Sequence, residues 1–510
     1  MNLKSWGIFG LLMALCAFMA VMTADPWYQI TDSTFLQPNN VENLLRRTAL
    51  YGLLGIGVAF VIISSGIDLS VGSLVCLSAC LLAICLQVDY RAADGRRVFR
   101  TSTSDANIAV YGDASDLSDG DLIRFWGGRR ARNALVHVRS TQQVTLFDEQ
   151  DHRVGAGTVV VIDEALSRDD DGGQIARAYA VSRFDRGARL VLLPSGVPRL
   201  SPRDQITLVH PQSGLKVLEI LHVEPADEGV LVTLKQDLGN DFDRDWVCVP
   251  LQRHQRMPVP LAIITVLAVA VVLGAIHGLL VTRVRLQPFV VTLCGLMIYR
   301  GLARWLTGDD PVGFGNEYVS TLSPWGSGKF TLFQWQQAGH ENSFGVPYPF
   351  FVLLVVAFLA SVFLNRTVWG RYLLALGRNE EAARYSGINT GRTTVIAYVI
   401  CALATATGGM LFALDANSVS PSSFGNFFEL YAIAAAVLGG CSLRGGEGTV
   451  MGVIGGTAVM QVLNNLILLL KISEKLEAVV IGGVILIGVL ADEGIRSAAA
   501  RRRARRTREK

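Results

Sequence analysis

Ser65-Gly66-Ile67-Asp68-Leu69-Ser70-Val71-Gly72-Ser73 interrupts an apolar stretch that otherwise runs from Leu50 to Val88. Each flank is long enough to lie in a bilayer, so the break reads as a helix end held within the membrane. Gly66 and Gly72 permit unusual backbone and close helix approach. Asp68 or Ser70 supplies an oxygen for the orphan N–H groups that open the next helix. A carboxylate at this depth is costly unless it is capped, paired or wet, so Asp68 reads either as a structural cap or as part of a solute path.

The rest of the chain agrees with a bilayer solvent. Of its 510 residues 51% are hydrophobic and only 17% charged, and the mean hydropathy is +0.38. Those totals exclude a soluble enzyme of this length. The predicted fold is an all-α polytopic membrane protein of about ten transmembrane helices with an inserted β-rich soluble domain. Apolar runs lie at 6–22, 50–64 and 70–88, and then at 258–281, 288–306, 349–364, 393–414, 430–443, 449–470 and 478–490. The first, behind Lys4 and ahead of Ala24, suits either a cleaved signal peptide or a retained helix, and the retained helix agrees better with the later spans. The expected domains are 1–88 (three spans), 89–257 (insertion), 258–495 (seven spans) and 496–510 (basic tail).

Basic residues orient the spans, because short cytoplasmic loops carry the excess of Lys and Arg. Arg283 and Arg285, then Arg366, Arg371, Arg378, Arg384 and Arg392, and finally the arginine run that closes the chain all become cytoplasmic with ten crossings and both termini inside. Arg46 and Arg47 are the exception and are expected to snorkel at the outer interface. The same count puts 89–257 outside. In that region β-type runs recur at 134–139, 143–147, 158–162, 189–193, 215–223 and 229–235, spaced as in one or two small barrels or sandwiches. Lys216 and Lys235 are its only lysines, and no polybasic footprint for nucleic acid is present.

Seven of the eight cysteines lie in or beside apolar runs without metal spacing, and Cys248 stands alone in the insertion, so no internal disulfide forms there. No phosphate loop, HExxH or GxSxG motif occurs, so no catalytic residue, metal ligand or cofactor is expected. The acidic clusters at 169–171 and 240–245 lack calcium-loop spacing and read as solvated turns. The terminal arginines suit anionic lipid headgroups.

The 65–73 string closely resembles the signature of permease subunits of ribose, xylose and galactose type ABC sugar importers, within the branched-chain amino acid and sugar permease superfamily. Three further stretches resemble that family in its own order. They are Gln287-Pro288-Phe289-Val290-Val291-Thr292-Leu293 with Ile298-Tyr299-Arg300-Gly301, the 375–389 segment Ala-Leu-Gly-Arg-Asn-Glu-Glu-Ala-Ala-Arg-Tyr-Ser-Gly-Ile-Asn, and 429–440 with Gly445, Gly446 and Gly448. The resemblance covers 1–88 and 257–495; the insertion departs from the family. It implies a non-enzymatic transporter subunit of a bacterial inner membrane, a homodimer fed by a periplasmic sugar-binding protein and driven by a separate ABC ATPase. By that resemblance Asn379, Glu380, Glu381, Ala382, Ala383, Ser386 and Gly387 form the coupling helix that docks on the ATPase. The residues themselves suit a short helix: Asn379 as N-cap, acidic residues at the positive end, Gly387 as terminator.

Gly66, Asp68, Ser70, Gly72, Arg300 and Asn464 are the candidates for the translocation path. Arg300 facing lipid would cost about 2.5–3.5 kcal/mol, so an ion pair or carbonyl contact inside the bundle is expected. Asn464 with Asn465, and His277, suit helix-to-helix hydrogen bonds equally well. The alternative from another class is a membrane-anchored extracytoplasmic sensor built on a degenerate permease core. The intact 381–387 pattern speaks against it.

Overall fold

The computed structural model describes residues 3–24 and 33–470, apart from 93, 102–106, 112, 128–131, 148–152, 163–173, 186–188, 211–213, 227, 239–245, 316 and 338–339, together with 476, 479, 482–483 and 486. The expected span 478–490 lies largely outside the described residues. The acidic clusters at 169–171 and 240–245 and the terminal arginines lie wholly outside them. The chain divides into two compact units, Met1–Gln87 with Met257–Lys510, and Val88–Arg256.

Twelve α-helices are described, all in the first unit. They are α1 (Leu3–Met22), α2 (Pro38–Ile63), α3 (Val71–Leu86), α4 (Val259–Thr282), α5 (Pro288–Thr307), α6 (Ser323–Ser327), α7 (Tyr348–Arg366), α8 (Val368–Arg378), α9 (Glu380–Tyr385), α10 (Thr390–Ala416), α11 (Phe428–Leu438) and α12 (Val450–Leu469). Six of them, α2, α4, α5, α7, α10 and α12, are long and apolar enough to cross a membrane; α3, α11 and the Gly7–Met22 part of α1 are shorter apolar helices.

Burial sorts them. The apolar stretch of α2 is 83% buried and that of α4 only 22%, so α2 is the hub and α4 a rim helix. Around α2 pack α7, α10, α11 and α12, in a core that includes Phe60, Leu353, Tyr398, Ala432 and Val453. Small residues make such packing close where the hydrophobic effect does not distinguish protein from lipid. At Gly278 of α4, a Cβ would stand 2.6 Å from the Val395 Cα of α10.

Two boundaries differ from the sequence expectation. Helix α2 starts at Pro38, twelve residues before the apolar run, with proline at its first position, where no amide hydrogen is needed. Arg46 and Arg47 therefore lie on the helix, and Arg46 pairs with Asp415 of α10 at 3.0 Å. Helix α11 stops at Leu438, because Gly439 and Gly440 turn the chain, Gly440 at φ +85°. The expected 430–443 run is thus a helix of 11 residues followed by a glycine-rich turn. Glu42 of α2 anchors a hairpin of strands Lys329–Gln337 and His340–Pro347, accepting from Lys329 Nζ at 2.8 and 2.9 Å and from the Gly345 amide at 2.7 Å.

Among its described residues the second unit is all β. Its strands are β1 (Val88–Ala92), β2 (Arg96–Thr101), β3 (Asn107–Tyr111), β4 (Leu122–Gly127), β5 (Arg132–Phe147), β6 (Arg153–Ile162), β7 (Gln174–Arg177), β8 (Tyr179–Ala180), β9 (Arg183–Asp185), β10 (Leu190–Pro194), β11 (Gln205–His210), β12 (Gly214–Ala226), β13 (Gly229–Leu234) and β14 (Val247–Gln255). A closed barrel runs β2-β3-β6-β5-β4-β7, and an eight-stranded sheet runs β1-β14-β11-β12-β13-β10-β9 with β8 against β14.

Alternation builds both cores. Ile108 and Val110, Ile123 and Phe125, Val136 and Val138, and Val160 and Ile162 all point into the barrel. Val191 and Leu193, Ile206 and Leu208, Val232 and Leu234 do the same for the sheet, with Trp246 and the unpaired Cys248. The runs at 134–139 and 143–147 are one strand, β5, bent by a bulge between Val138 and Ser140 that carries it across the barrel.

Candidate functional site

The chain leaves α2 at Ile63, turns through Ser65 at φ +65°, and runs irregularly to α3. Within that break Asp68 is buried, with 4% of its surface exposed. Its Oδ1 accepts from the Ser70 amide at 2.9 Å and from Ser70 Oγ at 2.6 Å, and its Oδ2 accepts from Cys401 Sγ of α10 at 3.6 Å. Ser70 makes no side-chain cap to α3; its hydroxyl is committed to Asp68. The carboxyl therefore ties the break to α10, where the sequence suggested a cap on α3.

The surroundings of the break are tight. Ile67 O accepts from Thr292 Oγ of α5 at 3.3 Å. A Cβ on Gly66 would stand 3.0 Å from Tyr398 Oη, and one on Gly72 would overlap the Glu429 carboxylate and Gly425 O. Arg300 of α5 donates from Nη1 to Pro421 O at 3.1 Å and to Phe424 O at 2.6 Å. Those carbonyls belong to the segment ahead of α11, so Arg300 uses main-chain acceptors. Gly66, Asp68, Ser70, Gly72 and Arg300 thus gather around the start of α3. Sequence reading left out their buried neighbour Tyr398; His277 of α4 makes the helix-to-helix hydrogen bond expected of it, its Nε2 lying 2.9 Å from Tyr299 Oη of α5.

At the Ile63 end of α2 three segments meet. The Gly446 amide donates to Ile63 O at 2.8 Å. Ser65 Oγ lies 3.1 Å from Gly377 O and 3.0 Å from Arg444 O. A Cβ on Gly377 would overlap Ile63 O and the Gly446 amide. Directly after this joint comes α9. Asn379 Oδ1 accepts from the Ala382 amide at 2.9 Å as a true N-cap, and Glu380 pairs with Arg384 one turn on at 3.1 Å. Gly387 at φ +81° ends the helix. Ala383 is buried, whereas Glu380, Glu381, Ala382, Ser386 and Gly387 are exposed, and Tyr385 is 91% exposed. A cavity of about 750 Å³ opens beside α9, and Arg285, Arg378, Arg384 and Arg444 are among its lining.

Asn464 is not part of either cluster. Helix α2 runs from the Ile63 joint for about 25 Å back to Arg46 at 1.5 Å per residue, and Arg46 and Asn464 line one cavity at that far end. Asn465 and Asn40 exchange hydrogen bonds there at 2.7 and 3.2 Å.

A family model described as branched-chain amino acid transport system / permease component matches residues 232–489. The chain is 35% identical over 231 residues to the ribose import permease protein RbsC of Escherichia coli strain K12, covering 45% of this chain and 68% of that protein. The chain belongs to this permease family. The galactose/methyl galactoside import permease protein MglC of Haemophilus influenzae is 32% identical over 240 residues, 46% of this chain and 68% of that protein. The L-arabinose transport system permease protein AraH of Escherichia coli strain K12 is 33% identical over 218 residues, 42% of this chain and 61% of that protein. No solved structure matches. The family match takes in α4 to α12 and leaves the 65–73 segment outside it, so the roles of Gly66, Asp68, Ser70 and Gly72 rest on their geometry.

With the family shown and six long apolar helices present, the permease is a multi-pass membrane protein. Removing the carboxyl of Asp68 would strand the Ser70 amide, the Ser70 hydroxyl and the Cys401 thiol. Each buried donor left without an acceptor costs about 1–3 kcal/mol. Asp68→Leu is therefore expected to lower the thermal midpoint of the purified permease clearly, and Asp68→Asn, which keeps one acceptor oxygen, to lower it less. A leucine variant as stable as the parent would show that these bonds do not hold the break.

Proposed function

We propose that the permease imports a monosaccharide of the ribose, galactose or arabinose kind across the inner membrane as one half of a homodimer. A periplasmic binding protein delivers the sugar, and a separate ABC ATPase drives the opening and closing of the path. No covalent chemistry takes place in this chain. The names of its relatives support the substrate class.

The observation that carries the ATPase assignment is α9. It is short, capped at Asn379 and stopped at Gly387. Its buried Ala383 faces the bundle, and Glu381, Ala382 and the ring of Tyr385 face outward. An uncovered tyrosine on a rigid element is the kind of residue that anchors a protein interface. Four arginines at the same end suit a cytoplasmic location.

The chain makes ten crossings with both termini inside. Helices α1, α2, α3, α4, α5, α7, α10, α11 and α12 supply nine, and the tenth is the apolar run expected from the sequence at 478–490, which lies largely outside the described residues. Helix α11 rises only about 16 Å, so the segments around it complete its crossing. The β unit, joining α3 to α4, then lies on the periplasmic side.

Cysteine cross-linking tests the docking face. In a Cys294→Ser background, Tyr385→Cys is expected to cross-link to the cognate ATPase through a short bis-maleimide, while Phe330→Cys on the hairpin anchored by Glu42 is not. Cross-linking from residue 330 and none from 385 would reverse the orientation and remove α9 from the ATPase interface.

A further inference from the structure

We propose that the cavity at the far end of α2 is a binding site for a neutral, polyhydroxylated solute, with the side-chain amides of Gln461 and Asn464 as its anchors. This deepens the import reading and rests on it for the direction of travel, because the cavity lies at the opposite end of α2 from α9.

The cavity holds about 360 Å³ between α2, α10 and α12. Gln461 is 2% exposed, yet its Oε1 has no hydrogen-bond partner among the described residues, and the buried Oδ1 of Asn464 has none either. Both side chains line this one cavity. They stand three residues apart on α12 and so share a helix face. A buried acceptor without a donor is destabilising until a donor arrives. Two such oxygens beside one space define what should fill it: a ligand that brings O–H groups.

The walls exclude other chemistry. An anion would face the two unpaired acceptor oxygens, which repel it; Arg46 is committed to Asp415 at 3.0 Å and to Asn43, and Arg47, the other cation of the lining, is exposed to solvent. A metal would need a cluster of carboxylates, and among the described residues Asp415 is the sole carboxylate in the lining. Asn40 and Asn465 are spent on each other. Leu44, Ile467 and Leu468 add apolar surface, which suits the C–H edges of a sugar ring. At about 30 Å³ for each water in the liquid, the space takes about a dozen waters, enough for a solute of about ten non-hydrogen atoms with a few waters.

The test measures binding to the full-length permease in nanodiscs, without ATPase, binding protein or nucleotide. Saturation-transfer NMR with D-ribose, L-arabinose and D-galactose is expected to give a signal for at least one of them, and gluconate, an anion of similar size, none. Gln461→Leu and Asn464→Leu are each expected to weaken that binding about fivefold, the effect of one neutral hydrogen bond. Because they remove an unpaired buried oxygen, both variants should unfold no lower than the parent. Should either leucine variant fail to accumulate, Gln461→Met or Asn464→Ser takes its place with the same expected weakening.

Three results would overturn the site: no signal from any of the sugars, a signal unchanged in the variants, or gluconate binding as well as the sugars. The first would mean that water alone, or a second copy of the chain, satisfies these amides. Because no ATP enters the measurement, failure of ATP-driven uptake would sink the importer reading and leave this result standing, and the reverse holds too.

Discussion

Gly377→Ala is expected to leave little folded permease in the membrane. Gly377 has an ordinary backbone conformation, so alanine is excluded here by space alone. Its Cβ would overlap the Ile63 carbonyl oxygen and the Gly446 amide, and those two groups hydrogen-bond each other at 2.8 Å. Both obstacles are backbone, which cannot rotate away as a side chain would. Overpacking of this kind costs about 1–3 kcal/mol, and forcing the pair apart forfeits a further hydrogen bond worth about 1 kcal/mol. A loss of about 3 kcal/mol is a large part of a typical domain's stability. Gly301→Ala on α5, where nothing lies within 4 Å, is the matched control and should accumulate normally. Size-exclusion profiles of the two variants check this; a Gly377→Ala protein that elutes and melts like the control would show that the joint is not packed as described.

Glu381→Arg combined with Gly387→Val should abolish ATP-driven uptake while the protein still accumulates. The reasoning for Gly387 is opposite to that for Gly377. A Cβ there would meet nothing within 4 Å, but its φ is +81°, a region that a β-branched residue enters only at about 1–2 kcal/mol or more. Valine therefore unpicks the end of α9 without disturbing the bundle. Arginine at the exposed Glu381 reverses the charge on the face proposed to meet the ATPase. Uptake at least tenfold lower with unchanged protein level is the expected result. Unchanged uptake would remove α9 from the coupling path.

Much of this was legible in the sequence, and the exceptions have physical causes. The ends of α4, α5, α7, α10 and α12 lie within three residues of the apolar runs, because a span must match the bilayer. Helix α2 escaped that reading because its first turns carry Asn40, Asn43, Arg46 and Arg47, which line a polar cavity inside the bundle; hydropathy registers side chains and not where they point. Helix α11 was read too long because its apolar run continues past Gly439, and only the positive φ of Gly440 reveals the turn. The alternation of the β unit named β5, β6, β10, β12 and β13, but not β3, β4 or β11, which also supply core residues, nor the bulge that makes β5 one strand. The cap at Asn379 and the stop at Gly387 were local and so were legible. The joint of Ile63, Gly377 and Gly446 was not, since it brings together segments more than 300 residues apart. Asp68 was identified as unusual from its depth alone, yet its partner Cys401 lies 333 residues away.

The most direct measurement is sugar accumulation in proteoliposomes that hold the permease with its cognate ATPase and binding protein. Labelled D-ribose, D-galactose and L-arabinose would be supplied in turn outside, and ATP enclosed on the α9 side. At least one sugar should accumulate above its outside concentration with ATP, and not with a non-hydrolysable analogue or with a hydrolysis-deficient ATPase. Accumulation that is indifferent to ATP, or absent for all three sugars in vesicles where the complex is assembled, would contradict the account of the chain as an ATP-driven sugar permease.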